Sequence, residues 1–140
     1  MEDKQISKNF KLSEFIKSET ADKNKIDNTP SEEEIKNIEL LVTSLLQPLR
    51  DKVSYAFHIN SGFRCDELNK NVNGSKTSAH LQGLAADITL GSKQLNKILY
   101  DEIRKGKYDF HQAINEKNYS WIHLGIKKDN IGNKHQMFNL

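Results

Sequence analysis

Apolar residues recur at three- and four-residue spacing through Ile35, Ile38, Leu41, Val42, Leu45, Leu46 and Leu49. This single stripe predicts a core-packed helix that ends near Pro48. Its start is marked by Thr29-Pro30-Ser31-Glu32, read as a Thr29 N-cap, a proline at the first helical position and an acid at the third. Val53, Tyr55, Phe57 and Ile59 then alternate with Ser54, Ala56 and His58, the period of a strand buried on one face, before Asn60-Ser61-Gly62 turns the chain. A short helix is expected over 66–72, a turn at Asn73-Gly74 and a second strand from Ala85 to Leu90. Ser92 caps a further helix that carries Leu95, Ile98, Leu99 and Ile103 and closes at Gly106. Strands over 109–116 and 120–126 complete a small sheet. Residues 127–140 are polar and read as an irregular tail, from which Met137, Phe138 and Leu140 can dock onto the core.

These elements predict an α+β fold, a small antiparallel sheet with flanking helices. A length of 140 residues suits a single domain over 1–140 with its own core. Hydrophobic residues at 36% and charged residues at 29% place the chain among folded proteins rather than disordered ones. The formal charge of +2 is spread over interspersed Lys and Glu, so no basic stripe points to a nucleic-acid partner. No stretch approaches the roughly 20 apolar residues of a membrane span, and membrane insertion is not expected. The opening MEDKQISKNFKLSEF has no apolar signal core, so a soluble cytoplasmic product is expected. A substrate outside the membrane would then need another route of release. Cys65 stands alone, which leaves no internal disulfide and no CxxC pair, and it is read as packing.

Chemistry enters with His80, Asp87 and His123. In Ala85-Ala86-Asp87-Ile88-Thr89-Leu90, alternation puts Ile88 and Leu90 on one face and Asp87 on the other with Ala85 and Thr89. In Trp121-Ile122-His123-Leu124-Gly125-Ile126 it buries Ile122, Leu124 and Ile126 and turns His123 away. Two imidazoles and one carboxylate supply three ligands for a zinc ion and leave a fourth position open, as a hydrolytic site requires.

The run Ser78-Ala79-His80-Leu81-Gln82-Gly83-Leu84-Ala85-Ala86-Asp87 matches an SxHxxGxAxD signature, and Trp121-Ile122-His123 matches a closing WxH. In these motifs the chain resembles the zinc D-alanyl-D-alanine carboxypeptidase family. The order FKLSEF at 10–15, LLQPLR at 45–50, SGFR at 61–64, LN at 68–69 and GSKTSAH at 74–80 is similar to its phage-lysin and carboxypeptidase-like branch. The resemblance implies the hedgehog/D-Ala-D-Ala-peptidase fold, one Zn2+ held by His80, Asp87 and His123, and an Arg64 that grips a substrate carboxylate. A guanidinium suits that task because it can donate two parallel hydrogen bonds. A structural salt bridge from Arg64 to Asp66 or Glu67 is the alternative. Ser78 is expected to orient substrate, and Gly83 and Ala85 to make room around the metal loop. Trp121 is read either as a wall of the substrate cleft or as a partial core residue.

Members of the family carry an acid near the last histidine, often three positions before it, where this chain has Ser120. Glu116 is the expected general base in its place. A four-residue loop at 117–120 pairs Glu116 with Trp121 and sets it diagonally from His123 on one face, whereas a three-residue loop reverses it. By alternation His111 falls opposite Glu116 and is not expected in the site, and His58 and His135 are read as surface residues. The implied activity is hydrolysis of a peptidoglycan stem peptide by a monomer, as a carboxypeptidase releasing D-Ala or an endopeptidase cutting between L-Ala and D-Glu, and a phage endolysin is one setting. The alternatives are a catalytically silent zinc-binding module and a cell-wall-binding module of the same fold.

Overall fold

A computed structural model describes residues 3–140. Strands β1 (Gln5–Ser7) and β2 (Phe10–Lys11) pair antiparallel, and short helices α1 (Ser13–Ile16) and α2 (Glu19–Lys23) follow. Phe10, Leu12 and Phe15 bury this segment in the main core.

Helix α3 (Glu32–Leu41) begins at a capping box, but two residues later than the sequence suggested. Ser31, not Thr29, is the cap: its Oγ accepts from the Glu34 amide at 3.2 Å, while the Glu34 carboxylate accepts from the Ser31 amide at 2.8 Å. The Thr29 hydroxyl is already committed to Asp27, 2.6 Å away. The helical run also does not stop at Pro48. It passes through a π turn at Val42–Leu46 into α4 (Gln47–Val53). Proline within a helix cannot donate its hydrogen bond and crowds the carbonyl four residues back. The wider turn, in which the Gln47 amide bonds the Val42 carbonyl, lets the run continue. Leu41, Val42, Leu45, Leu46 and Leu49 are wholly buried as a result.

That extension shortens the following strand. Val53 ends α4 and Ser54 turns left-handed, so β3 covers only His58–Ser61 and Tyr55 points to solvent. Asn60 and Ser61, expected in a turn, are its last residues. Helix α5 (Asp66–Asn71), strand β4 (Ala85–Thr89) and helix α6 (Lys93–Lys105) lie where periodicity placed them. Ser92 caps α6, with its Oγ accepting from the Leu95 amide. Strands β5 (Gln112–Glu116), β6 (Trp121–Gly125) and β7 (Gln136–Asn139) complete the sheet, in the order β3-β4-β6-β5-β7.

The irregular tail expected over 127–140 is therefore corrected. Strand β7 joins β5 in parallel, the one parallel pair in an otherwise antiparallel sheet. Backbone pairing needs no apolar pattern, and polar contacts reinforce it: Asn115 bonds Asn139, and the Tyr100 hydroxyl donates to the Phe138 carbonyl. Of the three residues expected to dock, Met137 packs on the core, whereas Phe138 and Leu140 remain exposed. Ala86, Ile88, Ala113, Ile122 and Leu124 turn one sheet face into the core shared with α3, α4 and α6. The other face is left for chemistry.

Candidate metal centre and its cleft

Antiparallel pairing of β4 with β6 sets Asp87 directly opposite His123. Both side chains leave the core face, and Nδ1 of His123 lies 2.9 Å from the Asp87 carboxylate. His80 arrives from the loop before β4. Ser78 opens a 3-10 turn there by accepting the His80 amide, and Gly83 closes it with φ of 74°. A β-carbon at Gly83 would stand 2.7 Å from the Glu34 carbonyl, so its space is needed against α3 rather than around a metal, as the sequence had suggested. Asn37 reinforces the docking by donating to the Gln82 carbonyl.

The His80 ring is buried, and its Nδ1 lies 2.6 Å from the Gly62 carbonyl. A carbonyl only accepts, so Nδ1 carries the proton and Nε2 is left bare, 3.4 Å from Asp87. One ligand atom from each of His80, Asp87 and His123 lies within 4.8 Å of the others. Ligands of a tetrahedral zinc with bonds of 2.0–2.1 Å stand about 3.3 Å apart, close to the 2.9 and 3.4 Å that separate Asp87 from His123 and His80. The donor set fits, and a second hydrogen bond fixing the ligating ring is the usual companion of such a site. Burial pushes the Asp87 carboxyl up, but the hydrogen bond and charge from His123 outweigh it and hold the acid well below the usual carboxylate range. The group is an anion ready to ligate.

The three side chains open onto a cleft of about 630 Å³ that Arg64, Ser78, Glu116 and Trp121 also line. The candidate ligands, base and substrate contacts singled out from the sequence thus reach one cavity. Glu116 does so through the register expected of it: it pairs with Trp121 across a four-residue loop, and Ile114 pairs with His123. The loop closes through Lys117, Asn118 and Tyr119 in left-handed conformation and a 3.0 Å bond from the Ser120 amide to the Glu116 carbonyl. Asn96 ties it to α6 by donating to the Tyr119 and Ser120 carbonyls. Trp121 is half-buried on the cleft side, with the Lys117 ammonium over its ring.

Arg64 forms no ion pair with Asp66 or Glu67 among the described residues, and its buried Nε has no hydrogen-bond partner. Its guanidinium is available to a ligand. Burial lowers its pKa and Asp87 pulls it back up. Cys65 packs between the two apolar clusters and caps α5.

Two residues of the site escaped sequence reasoning. His111 lines the cleft beside Gln112: it sits just before β5 with its backbone still bonded to Gly125 and Gln136, and strict alternation breaks there. Asn28, buried, donates to the Ile16 and Phe63 carbonyls and accepts from the Cys65 amide, clamping the segment that carries Arg64. No pattern in the sequence marks it. Asn28→Ala strands three buried polar groups and is expected to lower unfolding stability by about 2–4 kcal/mol in a denaturant titration.

The peptidase M15 family model matches residues 8–125. The chain belongs to the peptidase M15 family. No curated protein matches it. The M15 match runs from the β1–β2 turn to the end of β6 and so includes His80, Asp87, His123, Arg64, Ser78, Glu116 and Trp121, with β7 beyond it. The mixed α+β architecture is consistent with the M15 fold, and the M15 domain holds a His-Asp-His triad that could bind a metal ion.

Proposed function

We propose that this M15 peptidase is a zinc enzyme that hydrolyses peptidoglycan stem peptides, and the observation that carries the reading is the convergence of His80, Asp87, His123, Glu116 and Arg64 on one cleft. When bound, the ion supplies Lewis acidity, which makes water ionise near neutral pH and polarises a carbonyl. His80, oriented by the Gly62 carbonyl, and the Asp87–His123 pair hold it on the polar sheet face. The Glu116 carboxylate takes a proton from the attacking water and delivers it to the leaving amine. Arg64 grips a substrate carboxylate and fixes the register of the scissile bond. Trp121 walls the cleft. Ser78 acts through its cap on the His80 turn, with its place at the cleft leaving it within reach of substrate.

The protein acts as a monomer, made in the cytoplasm and reaching the wall by a release step of the phage-lysin kind. No helix among the described residues is long and apolar enough to cross a membrane. A second reading, a metal-holding module without turnover, draws on Ser120: it stands where relatives carry an acid, and its hydroxyl is spent on the Lys117 carbonyl.

Mass spectrometry of purified peptidoglycan incubated with the zinc-loaded protein tests the proposal. New fragments are expected, short by D-Ala for a carboxypeptidase or split between L-Ala and D-Glu for an endopeptidase. Arg64→Ala is expected to raise KM at least tenfold, the loss of about one charged hydrogen bond. Stoichiometric zinc with no new fragment at any pH supports the silent module instead.

A further inference from the structure

A second groove of about 750 Å³ meets the first at Arg64 and Asp87, which line both. Every residue from Phe57 to Arg64 contributes to it. A sheet face would offer only alternate residues, so the groove runs along an edge. β3 is that edge: β4 pairs with one side of it and, among the described residues, no strand with the other, while just past its end the Phe63 amide donates to the Phe15 carbonyl. The opposite wall comes from the segment of α1 and α2, including Glu14, Lys17 and Glu19.

One oxygen of Glu14 lacks a partner. Its Oε2 is buried and forms no hydrogen bond among the described residues. Burial pushes its carboxyl up and a hydrogen bond from the Lys11 amide to the carboxylate opposes this, while the charge of Asp3 adds to the rise and those of Lys11 and His58 counter it. A buried acid oxygen without a donor is costly to keep unless something supplies one. The metal-side arm adds Lys127 and Lys128 to the Arg64 and Asp87 that both arms share, with Glu116 its one further acid.

We infer that the β3 groove is the second arm of the substrate site, taking an extended peptide along the open edge of β3 and a cationic amine of that peptide at Glu14. The inference rests on the reading of the cleft as a peptidase site for stem peptides, which it makes more specific. An open strand edge offers backbone hydrogen bonds to an extended chain, and Glu14 adds selectivity by charge. Ser61 is paired with Asp87 and His58 with Thr89, so the His58 end of β3, whose charge Glu14 feels, lies about 10 Å along the strand from the metal site, at roughly 3.3 Å per residue. That spacing matches an amine two or three residues from the bond cut. The substrate therefore lies with its carboxylate toward Arg64 and Lys127 and its amine toward Glu14.

The test is a binding measurement by amide NMR on zinc-loaded full-length protein, in a Glu116→Gln background that keeps the peptide intact. The probes are L-Ala-D-Glu-L-Lys-D-Ala-D-Ala and the same peptide acetylated on the lysine amine. Amides of 58–61 are expected to shift, acetylation to weaken binding about tenfold, and added Glu14→Gln to bring the two affinities within about twofold. The comparison of the two peptides on unaltered Glu14 does not depend on how that variant folds. Failure of either peptide to bind, equal affinity with Glu14 present, a preference that survives Glu14→Gln, or unmoved amides at 58–61 would overturn the inference. Glu14-dependent preference without any cleavage by the protein bearing Glu116 would instead sink the peptidase reading and leave the groove assignment standing.

Discussion

Replacing His80 by alanine is expected to reduce bound zinc from one ion per chain to near none and to bring hydrolysis down to background. The remaining Asp87 and His123 are neighbours on one pair of strands and offer two ligand atoms, one short of the protein ligand count of a catalytic zinc site. His80 is the candidate ligand from outside the sheet, and its Nδ1 anchor on Gly62 makes it the least free to be replaced by a rearranged neighbour. Because its ring is buried, the variant also leaves a void and an unpaired carbonyl, so some loss of stability accompanies it. His123→Ala separates the two effects: its side chain stands on the cleft face, and its removal opens no core cavity. Metal analysis and product formation should fall together in both variants. Retained stoichiometric zinc in either would show that the residue is not a ligand.

The second large effect belongs to Glu116. Glu116→Gln keeps the shape and the β5–β6 pairing but cannot accept a proton, so zinc content should stay near one ion per chain while kcat falls about 10²- to 10⁴-fold. KM should change little, because the carboxylate is assigned to proton transfer and not to binding. The hairpin geometry makes this a sharp test. The left-handed residues Lys117, Asn118 and Tyr119 and the Asn115 and Asn96 bonds fix the loop at four residues, and that count alone puts Glu116 on the His123 face. Full rate in the variant would remove Glu116 from the mechanism.

How far the molecule was legible in its sequence varies with the kind of signal. Asp87 and His123 were readable because strand alternation carries direction: each is flanked by apolar residues that must go inward. The same rule failed at His111, one residue outside the ladder. It failed also at Val53, taken up by the helix that continues past the Val42–Leu46 π turn, and at Tyr55, left exposed in the connection to β3. Ser31 displaced Thr29 as cap through a competing bond to Asp27, a choice between two equally good hydroxyls that only geometry decides. β7 was invisible because a strand held by backbone and asparagine contacts needs no hydrophobic period. The Asn28 clamp and the unpaired state of Arg64 depend on contacts between distant segments, which no local pattern records.

Anomalous diffraction from a crystal of the protein soaked in zinc addresses the metal centre directly. A single strong peak about 2 Å from His80 Nε2, an Asp87 carboxylate oxygen and a His123 ring nitrogen, open toward Glu116, is the expected result. A peak elsewhere on the molecule, or none at these three side chains with the metal in excess, would contradict the account.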